Sequence, residues 1–156
     1  MNTINQWLDE YGESHQHPFN KLVHWICVPA IMFSLFGLLF SIPFFSEKSW
    51  YANWGAIVII PILFFYLRLS KVMFISFILI GFLLLKVNEL LYNNLCSSDK
   101  KMIFISLLIF IIAWFLQFIC HKIEGKKPSF LKDIQFLLIG PAWLLSFIFK
   151  KLQISY

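Results

Sequence analysis

Apolar residues in this chain fall into five long runs separated by short polar segments, and the stretch before them has a different rhythm. Ile4, Trp7, Leu8 and Tyr11 recur at i, i+3, i+4 and i+7, which predicts a short amphipathic helix over residues 4–14 lying at a membrane interface. Pro18 suits the first turn of a helix, where its missing N–H costs nothing, so a helix start is expected near His17. The first span is predicted from Trp25 to Phe45, close to the ~20 residues that a hydrocarbon core requires. Pro29 falls in its first turns and frees a carbonyl there. A second span, Trp54 to Leu69, contains Pro61 and ends at Arg68 and Lys71. The third, Val72 to Leu91, carries Lys86 and Glu89 at i, i+3, and ionisable groups at such depth are expected to pair. The polar stretch YNNLCSSDKK reads as a turn. The fourth span is predicted from Met102 to Cys120, followed by the basic segment HKIEGKKPSF with Gly125 and Pro128. The last run, Ile134 to Phe149, is broken by Gly140 and Pro141 and is short for a full crossing. No internal repeat is present. The expected fold is all-α, a multi-pass transmembrane helical bundle forming a single integral membrane domain over residues 1–156. It comprises four spans, an N-terminal interfacial helix and a C-terminal segment that is re-entrant or a fifth apolar element.

Composition supports a lipid setting. Hydrophobic residues make up 60% of the chain and charged residues 13%, against about 25% charged in soluble domains, so one core cannot hide the apolar surface. The net charge of +5 comes from 13 Lys and Arg that mostly flank the apolar runs, where orientation signals and headgroup contacts belong. A nucleic-acid partner is therefore excluded. Cys27, Cys96 and Cys120 form no C-x-x-C pair and are expected to be small buried apolar side chains. The opening MNTINQWLDEYGE is polar and acidic, unlike a cleaved secretory leader. Oligomeric state is not legible.

Charge also gives an orientation. With four spans, one side of the bilayer collects Lys21, Arg68, Lys71, Lys122, Lys126, Lys127 and Lys132, and the other has Lys48, Lys100 and Lys101. Positive residues favour the cytoplasm, so both ends of the four-span unit are expected there. His15, His17 and His24 precede the first span, while His121 and Glu124 follow the fourth. An even number of crossings returns the chain to its starting side, so all four histidines are expected at one interface. An odd number would hold the two groups about 30 Å apart.

Imidazoles with a carboxylate suit iron, zinc, copper or nickel. On helices, His121 and Glu124 at i, i+3 share a face, as do Asn20 and His24 at i, i+4. With His15 they suffice for a mononuclear centre with open positions, although His17, just before Pro18, equally suits a helix cap. Two other classes fit the same residues. One is a metal-dependent membrane hydrolase with Glu124 as general base. The other is a non-enzymatic transporter or assembly protein, though paired broken helices in two related halves are missing.

At H-x-H-P-x-N-K-x-x-H-x-x-x-V-P (His15 to Pro29) and Q-F-I-C-H-K-I-E-G-K-K-P (Gln117 to Pro128), the sequence resembles the 2-hydroxy fatty acid dioxygenase family. These are small multi-pass proteins whose fungal member acts at the endoplasmic reticulum in phytosphingosine breakdown. The resemblance extends over nearly the whole chain, to the late Gly140-Pro141. It implies Fe(II)-dependent α-oxidation: a 2-hydroxy fatty acid reacts with O2, loses its carboxyl carbon and leaves a chain one carbon shorter. It also implies a bacterial branch, placed in the inner membrane with the site on the cytoplasmic side. Carried over by position, His15, His24 and His121 would be iron ligands, with His17 and Glu124 as a fourth ligand or supporting the ligands. Asn20, Lys21 and Lys122 would hold the substrate carboxylate, and the acyl chain would lie between the spans. In the fungal pattern Asn replaces His17, Gly replaces Cys120, and the acidic residue stands one position further from the histidine.

Overall fold

The computed structural model describes residues 3–125 and 130–156, without the side chains of Glu124 and of residues 130–135. Six α-helices account for most of it: α1 (Ile4–Glu13), α2 (Pro18–Ser41), α3 (Trp54–Leu69), α4 (Lys71–Leu91), α5 (Asp99–Glu124) and α6 (Phe130–Lys151). Three of the apolar segments, Pro18–Ser41, Lys71–Cys96 and Asp99–Ile123, are long and apolar enough to cross a membrane, and Trp54–Leu69 is a shorter apolar helix. The protein is a helical membrane bundle.

Local chemistry explains the boundaries. Thr3 and Gln6 close a reciprocal capping box at the start of α1, satisfying two of its free N–H groups. α2 stops at Ser41 rather than at the predicted Phe45, because Ile42 is forced into an extended conformation by Pro43 (ψ 135°). Ser70 alone separates α3 from α4. It ends the first helix, and its hydroxyl accepts from Met73 N to start the second, which folds the two into an antiparallel hairpin. The predicted turn after Leu91 is mostly helical, a π-helical turn over Tyr92–Cys96 that leaves Ser97 and Ser98 to reverse the chain. α5 runs on to Glu124 and ends at Gly125 in the left-handed region (φ 73°), so His121 sits on the helix itself.

α2 and α5 form the most extensive helix pair. They are antiparallel: Gly37, near the end of α2, meets Met102 and Ser106 at the start of α5, while His24 and His121 meet at the other end. Between α2 and α3, Asn53 is fully buried and donates to the Ser49 and Trp50 carbonyls. Glu89 accepts from Trp50 N (2.9 Å) and from Lys86 Nζ (2.5 Å), the expected i, i+3 pair with an added role in pinning this loop. Lys48 bridges to Asp99 at the same end. The outer face of α5 exposes Phe104, Ile111 and Phe115, as a lipid-facing helix should. All three cysteines are buried and free.

Two elements differ from expectation. The apolar face of α1 is spent on protein: Ile4, Leu8 and Tyr11 pack in one buried cluster with Ile139, Ala142 and Trp143 of α6. α6 is one continuous helix through Gly140 and Pro141, not a broken segment. Neighbours stabilise the irregularity. Pro141 cannot donate to the Leu137 carbonyl, and the adjacent Leu138 carbonyl accepts from the buried Tyr66 hydroxyl. Gly140 lets the Tyr11 ring approach: a Cβ there would lie 2.9 Å from Tyr11 Oη.

Candidate metal centre

α1 ends at Glu13, and the backbone turns so that His15 N–H donates to the Gly12 carbonyl (3.0 Å). The turn lays the His15 ring flat on Tyr11, with centroids 4.1 Å apart and planes 11° apart. His15 Nδ1 lies 2.6 Å from the Tyr11 carbonyl oxygen. His24, in the second turn of α2, repeats the device, its Nδ1 2.9 Å from the Asn20 carbonyl. Carbonyl oxygens only accept, so in each neutral ring Nδ1 carries the hydrogen and Nε2 presents a lone pair. The two Nε2 atoms face one another at 3.0 Å. Two lone pairs at that separation repel unless a proton or a cation lies between them.

His121, from the last turns of α5, completes the cluster. Its ring centroid lies 5.0 Å from that of His15 and 5.5 Å from that of His24, and one nitrogen from each of the three rings falls within 4.8 Å of the others. His15 and His24 are buried and His121 is half-buried. The donor set fits a transition metal. Neutral imidazoles with the second nitrogen held by a carbonyl are the usual form of ligating histidine, and two ligand atoms at right angles, each ~2.1 Å from one ion, sit about 3.0 Å apart. Trp143 flanks Tyr11 and His15, at 5.4 Å from each, and Phe136 packs edge-on to Tyr11, so one wall of the cluster is aromatic and dry.

Not every residue singled out in the sequence converges here. His17 is the N-cap of α2: it is exposed, and its Nδ1 accepts from Phe19 N at 3.2 Å. It stands apart from the three converging rings. Asn20 is buried on the face of His24, with its Nδ2 donating to the Ser14 carbonyl (3.4 Å). Lys21 is half-buried on α2 and Lys122 exposed beside His121. The carboxylate of Glu124 lies outside the described residues. Sequence reasoning missed Tyr11 and Trp143. Tyr11 gave a signal in retrospect, standing four residues before His15, but Trp143 gave none, since its place depends on how α6 docks.

A family described as "2-hydroxy-palmitic acid dioxygenase Mpo1-like" matches residues 1–152. The chain is 29% identical over 150 residues to the 2-hydroxy-palmitic acid dioxygenase MPO1 of Saccharomyces cerevisiae, covering 94% of this chain and 80% of that protein. No solved structure matches.

Proposed function

This chain belongs to the 2-hydroxy-palmitic acid dioxygenase Mpo1-like family, and we propose that it is an Fe(II)-dependent dioxygenase that shortens 2-hydroxy fatty acids by one carbon. The observation that carries the proposal is the pair of Nε2 lone pairs 3.0 Å apart, each fixed by a backbone carbonyl behind it, with His121 beside them. Iron held there would supply O2 activation and chelation of the 2-hydroxy carboxylate.

The rest is done by this chain. The Tyr11 and Asn20 carbonyls hold the imidazoles in the ligating tautomer. Tyr11 and Trp143 exclude water from one side. Asn20, Lys21 and Lys122 stand where the amino end of α2 meets the carboxyl end of α5, and give the substrate carboxylate a polar, cationic rim, aided by the positive end of the α2 dipole. The distribution of Lys and Arg supports a site on the cytoplasmic side of the membrane, which we take to be a bacterial inner membrane.

The test is metal analysis of detergent-purified protein together with turnover of 2-hydroxyhexadecanoic acid. Wild-type protein should carry about one iron per chain, as the three-histidine donor set allows, and form the acid one carbon shorter in air. His15→Ala, His24→Ala and His121→Ala should each lose iron and activity. Undiminished product under argon, or full iron in His24→Ala, would sink the proposal.

A further inference from the structure

A second feature lies deeper in the same bundle. Between α2, α3, α4 and α6 is a cavity of about 70 Å³ lined almost wholly by apolar atoms, among them Met32, Phe36, Ile62, Leu84, Leu138 and Pro141. Apolar cavities of this kind stay dry and accept apolar guests. Its position relative to the histidines is set by α2. His24, Val28 and Met32 stand at i, i+4 and i+8 and share one face, so Met32 lies about 12 Å and Phe36 about 18 Å beyond His24 along the axis.

Those depths match a lipid tail. A bilayer core of about 30 Å holds two layers of acyl chains, so one membrane-length tail reaches roughly 15 Å from its headgroup. A tail anchored by its carboxylate at the histidines would end between Met32 and Phe36, inside the cavity. One half as long would stop near Val28 and never enter. α6 borders both regions: Gly140 and Trp143 face Tyr11 and the histidines, and Leu138 and Pro141 line the cavity.

We propose that this cavity receives the terminal carbons of the alkyl tail of a long-chain 2-hydroxy acid and so sets chain-length preference. The proposal rests on the function inferred above for the histidine cluster. The tail passes alongside buried Val28, and the cavity contributes affinity only for carbons that lie beyond that turn.

Two measurements on the purified full-length chain test it. A 2-hydroxyhexadecanoic acid bearing a diazirine at its terminal carbons is photolysed on the protein and the adducts are mapped by mass spectrometry. Labelling is expected on Met32–Phe36, around Ile62, or on Leu138–Pro141, and excess unlabelled acid should suppress it. Separately, Ile62→Phe, which fills the cavity, should lower the ratio of turnover on 2-hydroxyhexadecanoic acid to that on 2-hydroxyoctanoic acid about tenfold or more, with iron content as in wild type. Adducts confined to the lipid-facing side of α5, at Phe104, Ile111 and Phe115, or an unchanged ratio in Ile62→Phe, would overturn the proposal. Should the protein turn over neither acid, the proposed dioxygenase function fails, and the position of the adducts still decides whether the cavity takes the tail.

Discussion

Gly37 is where α2, α4 and α5 come together, and replacing it with alanine gives a sharp test of the packing that holds α2 against α5. A Cβ at this position would overlap the Ser106 hydroxyl, lie 2.9 Å from Asn88 Oδ1 and 3.3 Å from Met102 Cε. Asn88 cannot retreat, because its Nδ2 is tied to the Leu84 carbonyl (2.8 Å) and the Phe33 carbonyl (3.3 Å). Ser106 can yield only by turning its hydroxyl, which is buried and has no hydrogen-bond partner among the described residues. Overpacking of this kind costs about 1–3 kcal/mol. For a chain of this size that corresponds to a midpoint lower by about 2–12 °C in a thermal unfolding scan in detergent. Ser106→Ala removes both the obstacle and a buried hydroxyl without a partner. Alone it should stabilise by about 1 kcal/mol, and combined with Gly37→Ala it should recover part of the loss, with a coupling of about 0.5–3 kcal/mol. Gly37 lies about 20 Å along α2 from His24, so iron content per folded chain should not change. A Gly37→Ala protein that melts with wild type, or a double variant whose shifts simply add, would refute the reasoning.

Other outcomes follow from the same contacts. Tyr66→Phe removes the hydroxyl that bridges α3 to the Leu138 carbonyl and should cost about 1–2 kcal/mol, visible as faster hydrogen exchange in α6. His17→Ala should cost about 0.5–1 kcal/mol as a lost cap and leave iron content unchanged, whereas a loss of iron equal to that in His24→Ala would make His17 a ligand. Chelation should lower the unfolding midpoint, since metal at a hundred times its dissociation constant stabilises by about 2.7 kcal/mol; the chelator should have no effect on His15→Ala. An unchanged midpoint in wild type would count against a resident ion.

Much of this was legible in the chain alone because membranes impose coarse rules. Apolar runs of about 20 residues must become helices whose backbone groups are satisfied internally, and Pro18 marks a helix start by its own backbone chemistry. Counting the runs between His24 and His121 sufficed to expect them at one end of the bundle, where their rings lie 5.5 Å apart. The Lys86 and Glu89 pair followed from the cost of isolated charge in lipid.

What the sequence could not supply was decided by contacts between distant segments. The apolar stripe of α1 suits lipid and protein equally, and only the presence of Ile139, Ala142 and Trp143 on α6 resolves which it covers. Gly140 and Pro141 read as a break because local rules disfavour them in a helix, yet α6 continues because Tyr66 and Tyr11, far away in sequence, fit the irregular turn. His15 and His17 look alike in sequence. Their roles part because the turn after α1 stacks one ring on Tyr11 and aims it at His24, while the other stays outside to cap α2. Local propensity fixes where helices begin and end, but which histidines converge depends on how those helices pack.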